Sequence, residues 1–139
     1  MYGRPIDPAN PIDRQMIAGL PAHDRQLRHG EMLFGAFIAV RNSSTRPLRS
    51  ADRIELRHDA GDLDRSLPLP ASNSYAYAAR VVGPGATVPG QDGPVADDLA
   101  AGGRLVLCRI RAREYNDGGT FELVIHDPLH PDRTASLVV

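Results

Sequence analysis

The chain has 139 residues, a net charge of -1 and a hydrophobic fraction of 42%. These values fit one soluble globular domain and give no electrostatic demand for a polyanionic partner, so neither nucleic acid nor a membrane surface is expected. A single cysteine, Cys108, excludes a disulfide framework, and 5% aromatics without Trp leave little for a sugar-stacking platform.

Residues 1–30 are broken by Pro5, Pro8, Pro11 and Pro21, and Met1–Asn10 lacks the apolar run expected of a signal peptide. One short helix is predicted there. Asn10 caps it, Pro11 takes the first helical position, Asp13 complements the dipole and Gly19 closes it. Ile12 and Met16 then share a face. Two turns of helix do not stand alone, so the segment reads as an N-terminal arm. It either straps its own core or docks Ile12, Met16 and Ile17 on a neighbouring subunit.

Glu31–Arg41 is apolar on both faces, which suits a central strand covered on both sides or one whose second side a partner covers. Its apolar run, Met32–Val40, is too short to cross a bilayer. Asn42–Pro47 is a polar loop. Asp52–His58 alternates, with Ile54 and Leu56 inward and Arg53, Glu55 and Arg57 outward. A loop at Asp59–Pro70 precedes a strand at Tyr75–Val82. Tyr75, Tyr77 and, further on, Tyr115 read as core-edge residues whose hydroxyls reach water. Gly83–Gly103 is a long Gly- and Pro-rich loop with one helical turn at Val95–Ala101.

Arg104–Asp127 reads as a β-hairpin turning at Asp117-Gly118. In that register Ile110 meets Ile125 and Ala112 meets Leu123 on one face, with Arg113 opposite Glu122, Arg111 opposite Val124 and Arg109 opposite His126 on the other. Cys108 falls on the apolar side as a buried, inert thiol. Thr134–Val139 forms the last strand. About six or seven strands with turn signals between them predict an all-β fold. The form expected is an antiparallel β-sandwich of Greek-key or jelly-roll kind over residues 31–139, preceded by the arm.

No catalytic constellation is predicted. His126 and His130 stand near Asp127 and Asp132, but Pro128 and Pro131 forbid the helix that would aim both imidazoles at one metal, and a third ligand such as His58 would have to come from afar. Asp59, Asp62 and Asp64 surround Gly61 without the spacing of a calcium loop, and Asp92, Asp97 and Asp98 add to them only if two loops meet. No metal and no cofactor is therefore assigned. Gly83-Pro84-Gly85 and Gly102-Gly103 lack the Lys and helix of a phosphate loop, and Ser72 and Ser74 form no nucleophile elbow. Arg109, Arg111 and Arg113 form a stripe read as salt-bridged sheet surface or a protein–protein contact.

The function expected is non-enzymatic. The chain reads as a structural or interaction subunit of a homo-oligomer or larger particle, such as a phage or virus-like head, tail or capsid decoration, made in the cytoplasm and carried into the virion. This rests on fold-level analogy. The alternatives are a ligand- or carbohydrate-binding module using Ca²⁺ and a metal-dependent β-barrel enzyme on His58, His126 and His130.

Overall fold

The computed structural model describes residues 2–59, 61–88 and 103–139. The fold is all-β, built from antiparallel sheets with short helical turns. Strand β2 (Glu31–Ile38) lies at the centre of a three-stranded sheet, between β1 (Tyr2–Ile6) and β9 (Arg104–Arg111). Its two apolar faces serve two cores. Leu33 and Phe37 face one cluster with Ile6, Leu105 and Leu107. Phe34, Ala36 and Ile38 face the other with Val106, Cys108 and Ile110. Gly35 lies on the first face because a Cβ there would stand 2.7 Å from Leu105 and 2.9 Å from Ile6. Its bare backbone lets those two side chains close over the strand.

The second sheet runs in the order β11 (Thr134–Val138), β10 (Phe121–His126), β5 (Ile54–His58), β6 (Leu63–Arg65). Ile54, Leu56, Phe121 and Leu123 point from it into the cluster that holds Phe34 and Cys108. Phe34 and Phe121 stack at 4.8 Å between ring centroids. Two small ladders join β3 (Val40–Arg41) to β8 (Thr87–Val88) and β4 (Leu48–Arg49) to β7 (Val81–Val82). The buried Asn42 ties this region together. Its Nδ2 donates to the carbonyls of Arg46 and Val82, both at 2.8 Å, and its Oδ1 accepts from Ser44.

The leading segment takes the strap alternative. β1 pairs with β2 from Tyr2↔Phe37 to Ile6↔Leu33. Helix α1 (Pro11–Met16) begins where the sequence places it, with Asn10 Oδ1 accepting from the Ile12 and Asp13 amides. Met16, Ile17 and Leu20 pack on Leu33, Phe37 and Leu107, and a second short helix, α2 (Ala22–Arg25), follows. Met16 and Ile17 are thus buried in this chain's own core and are not available to a neighbour, while Ile12 is 58% exposed. Arg4 grips Asp13 with two hydrogen bonds, at 2.6 and 3.0 Å, and Asn73 Nδ2 donates to the Met16 and Ala18 carbonyls.

The expected hairpin does not form. β9 pairs with β2, from Glu31↔Arg111 to Ile38↔Arg104, whereas β10 pairs with β5 and β11. Ile110 lies opposite Met32, Leu123 opposite Leu56, and Glu122 opposite Arg57. Two causes are visible. β9 carries apolar residues on both faces, so it belongs beside the doubly apolar β2. Ala112–Asn116 is helix α3, started by Glu114 accepting from the Arg111 amide at 3.0 Å, and Gly118 (φ +72°) lies just beyond its end.

The strand expected at Tyr75–Val82 shrinks to a parallel bridge between Ala76 and Leu105 and the two residues of β7. The Tyr77 hydroxyl donates to the Ala51 carbonyl at 2.6 Å instead of reaching water. The helical turn expected at Val95–Ala101 lies outside the described residues.

Because the strap supplies core, Met16→Ala is expected to destabilise the chain by about 2–5 kcal/mol. Ile12→Ala on the same helix should stay within about 0.5 kcal/mol. Urea unfolding of the two variants checks this.

Candidate functional site

Three places gather chemistry: the outer face of the second sheet, a polar cleft beside it, and that sheet's β11 edge. On the outer face, β5 brings up Glu55 and β10 brings up His126. Glu55 is only 3% exposed, though the alternation of its strand points it outward. His126 Nε2 lies 2.8 Å from Glu55 Oε2, and Nδ1 lies 2.9 Å from the Pro131 carbonyl. Each ring nitrogen therefore has an acceptor oxygen within hydrogen-bond distance. Burial pushes the Glu55 carboxyl up, but hydrogen bonds from His126 and Arg53 outweigh burial and hold it below the ordinary carboxylate range.

This pair is a fastener. Its imidazole holds the turn that leads from β10 into β11. Asp127 completes the turn by accepting from the amides of Leu129 at 2.8 Å and His130 at 3.3 Å. The turn in turn sets the register of β11 on β10, from His126↔Thr134 to Glu122↔Val138.

The cleft, of about 560 Å³, opens where β6 meets β9 and α3. Asp62, Asp64, Glu114, Arg111 and His58 line it. Burial raises the Asp64 carboxyl, the negative charges of Glu114 and Asp62 add to that, and Arg111 opposes it. The three carboxylates read together from the sequence separate here. Asp62 and Asp64 line the cleft, while Asp59 (φ +49°) accepts from the Thr120 amide at 2.9 Å. Asp92, Asp97 and Asp98 lie outside the described residues.

The histidines also part. His58 packs on Phe121 at one end of the β5–β10 pair, and His126 lies at the other. Among the described residues His130 approaches Asp127 alone, at 3.6 Å. Among the described residues no three His, Cys, Asp or Glu side chains converge on a metal position.

The arginine stripe is broken as well. Arg109 turns to the strap, donating to the Asp24 carbonyl at 2.9 Å, with Glu31 at 3.8 Å. Arg111 borders the cleft. Arg113 belongs to α3, not to a strand. Cys108 is buried as expected, and burial pushes its thiol up to about 12.

The edge is formed by β11. All five of its residues are exposed, Leu137 at 42% and Val138 at 65%. Thr134–Val139 contains no charge and no proline. The sequence showed the strand but not its place at the margin, because strand order is set by long-range pairing. Glu55 was missed because its buried partner, His126, comes from another strand far along the chain.

No family model, curated protein or solved structure matches this chain.

Two outcomes follow from the fastener. His126→Ala leaves Glu55 buried with Arg53 as its one partner among the described residues and is expected to cost about 3 kcal/mol in denaturant unfolding. The pH dependence follows from the lowered Glu55 and Asp13 carboxyls. For Asp13 the hydrogen bonds from Arg4 lead, against burial, with help from the Asp7 amide. The stability they give is complete above the ordinary carboxylate range and is lost as the pH falls through it to their own lower values. Unfolding measured across acid pH should therefore show a shallower loss in Glu55→Gln and Asp13→Asn than in the wild type.

Proposed function

We propose that the chain is a non-enzymatic structural or interaction protein, a subunit that self-associates or joins a larger particle. The observation that carries this reading is the open β11 edge. An exposed edge strand presents a row of unused main-chain donors and acceptors, and proteins that remain monomeric blunt such edges with charge, proline or a covering loop. β11 has none of these among the described residues.

The interaction surface therefore moves from the arm and the arginine stripe to the margin of the second sheet. The cluster shared by the two sheets supports reading the fold as a β-sandwich. A small sandwich with an open margin suits an assembly subunit, such as a phage or virus-like head, tail or decoration protein, by analogy of form. No helix among the described residues is long and apolar enough to cross a membrane.

Sedimentation of the full chain over a range of concentrations tests the reading. The expected result is a mass that rises to a multiple of the single chain. The mass of one chain at every concentration would overturn it.

A further inference from the structure

The described sheet margins are not alike. β1 carries Arg4 and Pro5, β6 is three residues long with Asp64 and Arg65, and the outer edge of β9 is covered where the Leu67 amide donates to the Leu107 carbonyl and Ala76 bridges Leu105. Charge, proline, shortness and cover are the usual protections of an edge. Only β11, among the described margins, lacks them all.

We infer that the occupant of this edge is a second copy of the same chain, paired antiparallel with β11 about a two-fold axis at Ser136. The inference rests on the assembly reading above and gives it a partner and a register.

Main-chain parity comes first. The Val139 amide donates to the Phe121 carbonyl and the Asp127 amide to the Arg133 carbonyl, so the odd residues of β11 bond to β10. By alternation, Thr134, Ser136 and Val138 turn their N–H and C=O groups outward. Those three groups complement their own copy. Ser136 exchanges bonds with Ser136 of the second copy, and Thr134 with its Val138.

Charge points the same way. Self-pairing sets each residue beside a residue of the same strand, and like charges in such positions repel. A strand without charge meets no such penalty. Leu137 supplies the apolar contribution. It lies opposite the buried Leu123, on the core side of the sheet, yet is 42% exposed. In this register it becomes the diagonal neighbour of Leu137 in the second copy, and the two sheets join into one continuous sheet.

The test uses Ser136→Lys and Ser136→Glu in the full chain, followed by sedimentation. The residue is exposed and its main chain does not bond β10, so both variants should melt like the wild type. Each alone sets like charges face to face and should weaken association about fivefold or more. An equimolar mixture should regain the wild-type mass. A second pair, Thr134→Glu with Val138→Lys in one chain, sets opposite charges face to face and should tighten association even if a variant at 136 folds poorly.

Variants at 136 that associate as tightly as an oligomeric wild type, or that weaken and fail to recover on mixing, overturn the register while leaving the assembly reading in place. A wild type that stays a single chain throughout overturns both.

Discussion

A strand with oily side chains on both faces is the constraint on which this structure turns. β2 cannot stand in water on either side. One face is covered by the strap through Met16, Ile17 and Leu20, and the other by the second sheet through Ile54, Leu56, Phe121 and Leu123. The same demand falls on β9, which is why it lies beside β2. It also explains why α3 carries the chain from one sheet to the other instead of folding it back on its neighbour. The strap belongs to the core because without it Leu33 and Phe37 would face solvent.

Much of this was legible from residues alone. The period of two in β5, the doubly apolar run of β2, the cap at Asn10 and the all-β class follow from local patterning, and each appears in the structure. The hairpin did not, for a reason that local patterning cannot see. Ile110 and Ile125 face the same interior from different sheets, so a register that matched their polarity matched side chains that never pair. Asp117-Gly118 serves the close of a helix as readily as the turn of a hairpin. Glu55 obeys the alternation of its strand and is still buried, paired there with His126 from a strand distant in sequence. The arginine stripe failed for the simplest reason: its third member, Arg113, has left the strand.

The polar interior is arranged as a small number of clasps at chain reversals. Arg4 and Asp13 close the strap, Asn73 holds the end of α1, Asn42 holds the loop between β3 and β4, and Glu55 with His126 holds the turn before β11. Each clasp satisfies main-chain or charged groups that burial would otherwise leave unpaired. The fork of Arg4 suits the bidentate grip on Asp13, a geometry that an ammonium group does not reproduce. The clasp at His126 joins the ionised interior to the open margin, since it fixes the turn from which β11 departs.

The lone thiol offers a last consequence. Cys108 lies between the sheets, 1% exposed, and stays protonated in neutral solution. An alkylating reagent meets it only when the layers part, so the slow labelling of this one sulfur counts the openings of the whole domain. The molecule carries its own clock for breathing, with no probe added from outside.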